Sequence, residues 1–277
     1  MWLAIVIIIL LLPAAYLFLI MPRVFGKADM RGLMCDYAHR GLFDSNCPEN
    51  SLGAFRNAVD HGYGIELDVH LSKDKKIVVF HDNTLSRICG VDGKISDYTA
   101  EELGKMKLLN TEYTIPTFVE VLRLVGGRVP LLIELKGENT NTELCARVAA
   151  ILDKYKGPYS VESFNPYLLR WFKKNRKSCA RGQLVTKLTK KDGKNAILGF
   201  LLSNMLTNVL SRPDFIAVNG NIRNKPLMHI CESVMGARVL VWTVKNEKEY
   251  AICRREGRRT IFERFIPRNN ERKRNAK

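Results

Sequence analysis

The stretch PLLIELKGENTNTELCARVAAILDKYKGPYSVESF, Pro130 to Phe164, decides how this chain folds. Pro130 to Leu135 is a short apolar run broken by a single acid, the pattern of a strand covered on both faces. Thr142 to Tyr155 then repeats apolar residues at helical spacing, and Tyr159 to Phe164 is a second short run. Strand, helix and strand in close succession form a βαβ unit, and its two strands must lie parallel.

The same rhythm extends in both directions. Downstream come a helix over Pro166 to Asn175 and a strand over Ala180 to Val185. A long apolar helix near Ala196 to Leu210 leads to a strand at Asp214 to Val218. A helix at Lys225 to Val234, a strand at Arg238 to Thr243, a helix at Glu247 to Glu256 and a last strand at Thr260 to Phe262 complete the run. Upstream, Cys35 to Ala38 reads as the first strand. A helix follows it, capped by Asn50 or Ser51 and stopped at Gly62, and then comes a strand at Gly64 to His70. Eight principal strands alternating with helices in about 240 residues predict an α/β fold, a closed TIM-type (β/α)8 barrel. The run Ile77 to Phe80 and the polar segment 83–114 fall outside that count and read as an insertion after the second strand. The helix near Ala196 to Leu210 is interrupted by Ser203, Asn204 and Asn208 and is expected to be a buried barrel helix.

Ahead of the barrel, residues 1–22 are almost wholly apolar and carry no charged side chain up to Met21, enough for an uncleaved transmembrane helix. A cleaved signal peptide fits less well, because no basic residue precedes the run and it continues past Ala14-Ala15. A basic linker over 23–34 carries Arg23, Lys27 and Arg31, which by the positive-inside tendency puts the rest of a single-pass membrane protein in the cytoplasm. The seven cysteines (35, 47, 89, 145, 179, 231 and 253) are odd in number, show no CxxC pair, and read as reduced thiols. The barrel is expected over 35–265 and a basic tail over 266–277. The formal net charge is +16, and ten Lys/Arg stand against three Glu between Arg254 and Lys277. That excess fits anionic lipid better than nucleic acid, since no nucleic-acid motif or aromatic interleaving accompanies it.

The chemistry lies in polar residues set into apolar runs. Glu66 and Asp68 are two apart on one strand, so they share a face, and unpaired carboxylates cost several kcal/mol (order of magnitude) to bury. Glu134 and Lys136 stand in the same relation and also fit a structural ion pair. In a parallel barrel such groups converge at the C-terminal ends of the strands. Clustered carboxylates suit a hard divalent cation, and two histidines, His39 and His81, suit proton transfer in both directions across a phosphate. His61, His70 and His229 are assigned ordinary structural roles, Asn50 mainly a capping role, and Trp242 a place half in the core and half in a pocket wall.

In order, these fragments are His39-Arg40-Gly41, Pro48-Glu49-Asn50, Glu66-Leu67-Asp68, Val79-Phe80-His81-Asp82 with Arg87, Ile133-Glu134-Leu135-Lys136, Ser163-Phe164 and Trp242-Thr243-Val244. The set resembles the glycerophosphodiester phosphodiesterase family over about Tyr37 to Phe265. The resemblance implies metal-dependent hydrolysis of glycerophosphodiesters to glycerol 3-phosphate and an alcohol. His39 and His81 become the acid/base pair, and Glu66, Asp68 and Glu134 the ligands of Mg²⁺ or Ca²⁺. Arg40 and Lys136 face phosphate, and Glu49, Phe164 and Trp242 line the substrate pocket. A lysophospholipase D or phospholipase C-like action on membrane lipids is the alternative activity. The chain departs from the family pattern in the eighth strand, where Arg258 to Glu263 replaces a Val-Asp-Gly-Ile-like stretch followed by Thr-Asp. It also lacks the usual Asp-Gly in the turn at Ser72 to Lys76.

Overall fold

The computed structural model describes residues 2–137, 139–188 and 196–268. In chain order the elements are α1 (Trp2–Ile20), β1 (Tyr37–Ala38), α2 (Leu52–Asp60), β2 (Gly64–Leu71), β3 (Ile77–Val79), α3 (Ser86–Cys89), α4 (Ala100–Leu103) and α5 (Phe118–Val125). They continue with β4 (Leu131–Leu135), α6 (Glu143–Leu152), β5 (Tyr159–Ser163), α7 (Pro166–Asn175), β6 (Ala180–Val185), α8 (Ala196–Ser203) and α9 (Asn208–Ser211). The last are β7 (Phe215–Asn219), α10 (Pro226–His229), β8 (Arg238–Val244), α11 (Glu247–Arg255) and β9 (Arg259–Phe262). Strands run β1-β9-β8-β7-β6-β5-β4-β2, all parallel, and β1 pairs with β2 to close the ring. This is a closed eight-stranded parallel barrel of TIM type. β3 is antiparallel to β2 and lies outside the ring.

Alternation along each strand divides outside from inside. Ile65, Leu67 and Val69 of β2 and Leu131, Ile133 and Leu135 of β4 pack in the main core with Phe55, Phe118, Val121, Leu144 and Val148 from the surrounding helices. The opposite side of the same strands carries Glu66, Asp68 and Glu134 into the barrel. Inside the barrel, a second apolar cluster of Tyr37, Leu132, Phe215, Leu240 and Ile261 also takes in Met30 and Leu33. The segment expected to be a basic linker therefore closes the floor of the barrel, tied there by Arg23 N donating to Pro213 O (2.9 Å) and Ala28 N to Asp214 Oδ1 (3.1 Å).

The segment from β3 to α5 has its own small core of Val78, Phe80, Leu85, Ile88, Ile95, Leu103 and Leu108. Its backbone reaches the turn above β2, where Ala100 N donates to Asp74 Oδ1 (2.8 Å).

Three expectations require correction. The helix near Ala196 to Leu210 is two pieces, α8 and α9, broken at Met205 with φ 58°. Ser203 Oγ accepts from Leu188 N (2.9 Å) and Asn208 Nδ2 donates to Ile20 O (2.9 Å), so the polar residues serve tertiary partners. Nor is α8 buried all round, since Ile197 and Phe200 are exposed. The transmembrane helix gains no support: among the described residues no helix is long and apolar enough to cross a membrane. The basic tail from residue 269 onward lies outside the described residues. All seven cysteines are free thiols.

Candidate active site

β2 brings Glu66 and Asp68, and β4 brings Glu134, to adjoining positions in the barrel, with Asp68 directly opposite Glu134 in the strand register. Ligand oxygens from these three buried residues lie within 4.8 Å of one another. Lys136, one residue past β4, places Nζ 2.9 Å from Asp68 Oδ1 and 2.8 Å from Glu134 Oε1. Three carboxylate oxygens in a buried pocket are a donor set that fits a hard divalent cation.

The loop after β1 bends back over this cluster. Arg40 (φ 55°) and Asn50 (φ 57°) both take the left-handed conformation, a backbone cost that recurs at functional sites. The bend aims Arg40 N at Glu66 Oε2 (2.9 Å) and Asn50 Nδ2 at Asp68 Oδ2 (2.8 Å). Gly41 has φ 84°, and a Cβ there would lie 2.8 Å from the Ala54 carbonyl carbon, so only glycine lets the loop sit against α2. Asn50 is thus a holder of Asp68 rather than a cap; Ser51 caps α2 by accepting from Ala54 N (3.1 Å).

The histidines flank the acids. His39 Nε2 is 3.9 Å from Glu66 Oε2, and its Nδ1 is 2.6 Å from Glu263 Oε2 at the end of β9. His81 follows β3, and its Nδ1 meets Asp82 Oδ1 at 2.5 Å. Arg87 binds Asp82 through Nε and Nη2 and Glu49 through Nη1 (3.0 Å) and Nη2 (2.7 Å), while Arg40 Nη1 reaches Glu49 Oε1 at 2.6 Å. A chain of charged hydrogen bonds therefore joins His81 to Arg40 through Asp82, Arg87 and Glu49. On the opposite rim Phe164 and Trp242 meet edge to face, centroids 5.6 Å apart, and Trp242 Nε1 donates to Ala217 O (2.9 Å).

A family model described as glycerophosphoryl diester phosphodiesterase matches residues 39–263. The chain belongs to the glycerophosphoryl diester phosphodiesterase family. The family is one of phosphodiester hydrolases, and its relatives repeat the assignment. The putative glycerophosphodiester phosphodiesterase YhdW of Bacillus subtilis is 30% identical over 224 residues, 77% of this chain and 87% of that protein. The glycerophosphodiester phosphodiesterase of Bacillus altitudinis is 41% identical over 111 residues, 38% of this chain and only 45% of that protein. The crystal structure of glycerophosphodiester phosphodiesterase from Thermotoga maritima superimposes with a TM-score of 0.64 at 29% identity, covering 82% of this chain and 94% of the other.

Electrostatics in this family member are governed by crowding. Burial, and then the charges of Asp68, Glu162 and Glu134, push the Glu66 carboxyl well above its ordinary value. Burial also raises Glu134, to about 7, against the opposing pull of Lys136. Burial would raise Asp68 too, but Lys136, His81 and Arg40, with the Asn50 hydrogen bond, hold it far below the carboxylate range. Burial lowers both His39 and His81; Glu263 opposes the shift at His39 and Asp68 opposes it at His81.

Two residues of the site, Glu162 and Glu263, escape the sequence reading, and His70 keeps the structural role expected of it. Glu162 of β5 stands opposite Glu134, is 1% exposed, and its Oε2 has no hydrogen-bond partner among the described residues. Burial and then Glu134 and Asp68 push its carboxyl well up. The signal was present, since Glu162 is an acid in an apolar strand just as Glu66 is. His70, two residues beyond Asp68 on the same side of β2, has Nε2 3.2 Å from His81 O, and its supporting position was legible from the alternation. Glu263 lies where the chain departs from the family pattern, so no motif pointed to it.

Proposed function

We propose that the chain hydrolyses glycerophosphodiesters to glycerol 3-phosphate and an alcohol. Glu66, Asp68 and Glu134 would hold a divalent cation, and His39 and His81 would move the protons. The observation that carries this reading is the convergence of the three carboxylates between two histidines that are each held at Nδ1 by an acid. With Glu263 as partner, His39 carries its proton on Nδ1 and turns the Nε2 lone pair toward the cluster, as a base must. His39 would take the proton of the attacking oxygen, either water or the neighbouring glycerol hydroxyl. His81, the more exposed of the two (side chains 32% against 15%), would protonate the departing alcohol near the mouth. Burial draws the His81 imidazole below its ordinary value, and Asp68 and Asp82 pull the other way, toward its charged form.

The cation, when bound, neutralises phosphate charge and lowers the pKa of a coordinated oxygen. Arg40 and Lys136 face the position the phosphate would occupy. If the barrel is cytoplasmic, as the reduced cysteines and the basic residues after α1 favour, Mg²⁺ is the resident ion on availability. In a second reading lysophospholipids in a bilayer are cleaved in the manner of a lysophospholipase D, and the exposed apolar turns of α1 would bring the chain to such a bilayer.

The deciding assay measures release of glycerol 3-phosphate from glycerophosphocholine, and of lysophosphatidic acid from lysophosphatidylcholine, with added Mg²⁺ and with EDTA. Turnover of the first substrate only, abolished by EDTA, is the expected outcome. Full turnover in excess EDTA removes the cation from the scheme, and turnover of neither substrate removes the activity.

A further inference from the structure

Among the described residues, the contacts that tie helix α1 to the barrel gather at its C-terminal end, where Tyr16 also comes near Cys231. Ile20 is buried, Asn208 Nδ2 donates to Ile20 O (2.9 Å), and Arg212 Nη1 reaches Phe18 O (2.7 Å) and Met21 O (2.9 Å) while its guanidinium lies 4.4 Å from the Phe18 ring centroid. From Leu11 to Phe18 every residue is exposed, Leu11, Leu12 and Phe18 by more than half, so these apolar turns present hydrophobic side chains to solvent. The chain then runs into Phe25, 89% exposed, beside exposed Val24.

The barrel surface around this exit is basic. Arg23 Nη1 donates to Lys177 O (2.9 Å), which places the exposed Lys177 next to the helix end, and exposed Lys27 and Lys174 lie close by in the chain and on the end of α7. The nearest acids are already engaged: Asp29 by Arg31, Asp153 by Arg176, and buried Asp214 by Arg23 and Arg181. Lys27, Lys174 and Lys177 have no ion pair among the described residues. Burial, and then the surrounding Arg212, Arg181, Arg170 and Lys174, draw the Lys173 ammonium below its ordinary value. An aromatic and aliphatic stem beside lysines without an ion pair among the described residues is complementary to anionic headgroups above hydrocarbon.

This exit lies beside Pro213 and Asp214, which precede β7, at the N-terminal end of the barrel. His39, His81 and Glu263 follow β1, β3 and β9 and lie at the other end or above it. We infer that the N-terminal face of the barrel, with α1, docks on an anionic lipid surface and leaves the catalytic mouth open to water on the far side. The consequence for substrate rests on the proposed function: a chain so docked takes water-soluble glycerophosphodiesters rather than lipids of the bilayer that holds it. The docking itself does not depend on that activity.

The test uses the full chain with phosphatidylcholine vesicles made with or without phosphatidylglycerol. Flotation should require phosphatidylglycerol, and the triple variant Lys27→Glu, Lys174→Glu, Lys177→Glu should lose about tenfold or more of the binding. Amine labelling of the wild-type chain, read by mass spectrometry, should show Lys27, Lys174 and Lys177 protected on vesicles. Lys76 and Lys105, exposed around the mouth (side chains 65% and 72%), should stay reactive. Binding indifferent to phosphatidylglycerol, protection of Lys76 and Lys105 instead, or self-association in place of flotation overturns the inference. If soluble and bilayer phosphodiesters are both left intact by the free chain, the functional reading fails, and flotation and labelling still decide the docking face.

Discussion

His39 and Glu263 are 224 residues apart in sequence and joined by a 2.6 Å contact between Nδ1 and Oε2. Lys245 Nζ holds the other oxygen of Glu263 at 3.0 Å. Burial alone would raise the Glu263 carboxyl, but His39 and Lys245 draw it down to about 2, so it stays charged at neutral pH. A charged acceptor at Nδ1 fixes both the tautomer and the tilt of the ring. Glu263→Gln should therefore lower kcat about 10²-fold with little change in KM. Glu263→Asp should recover part of the loss, and ¹⁵N shifts of His39 should reveal the tautomer change in the Gln variant. Wild-type kcat in Glu263→Gln would show the contact to be incidental.

The proposed cation site rests on Asp68, and Asn50 Nδ2 holds Asp68 Oδ2 at 2.8 Å. Outer hydrogen bonds of this kind are worth about 10–100-fold in metal affinity. Asn50→Ala should weaken Mg²⁺ binding about tenfold by calorimetry, and Glu134→Gln should weaken it further by removing a ligand. EDTA should abolish turnover, and Mg²⁺ should restore it. Unaltered Mg²⁺ affinity in Glu134→Gln would place the ion elsewhere.

The barrel was readable because a parallel sheet covered on both faces writes its strands as short apolar runs, and the helices between them keep a 3.6-residue period. That same background exposed Glu66, Asp68 and Glu134 as misfits. It exposed Glu162 as well, but none of the motifs that carry the resemblance includes that acid. Glu263 was hidden for a different reason: it meets His39 only when β9 closes the ring against β1, which joins the first and last strands of the barrel. The break at Met205 was hidden too, because residues 196–210 are compatible with helix throughout and the partners that break it, Leu188 and Ile20, are remote in sequence. Composition found the charges of residues 23–34 and missed that Met30 and Leu33 are the floor of the barrel.

Arg87 reaches the site from α3 in the inserted segment and grips Asp82 and Glu49 together. Two-pronged guanidinium contacts to two carboxylates are beyond the reach of a lysine. Arg87→Ala should lower kcat about tenfold by loosening His81, and Arg87→Lys should not restore it. A lysine variant with wild-type turnover would mean that only the charge of Arg87 counts, not its geometry.

His70 links the site to stability. Buried behind His81, it is pulled down to about 4, mainly by burial. As pH falls, the unfolded chain takes a proton at this position near pH 6.5, whereas the native state resists until about pH 4. The contribution of neutral His70 is therefore complete above about pH 6.5 and lost progressively down to about pH 4, on the order of 2–3 kcal/mol. His70→Gln preserves a donor toward the His81 carbonyl and removes the titration. Urea unfolding at pH 7 and pH 4.5 should show a smaller fall in stability for the Gln variant than for the wild type. Glu66 and Glu162, whose carboxyls are pushed up, favour the native state on acidification in both proteins, so their effect cancels in that difference. Equal falls in the two proteins would mean that His70 is protonated in the native state near its ordinary pKa.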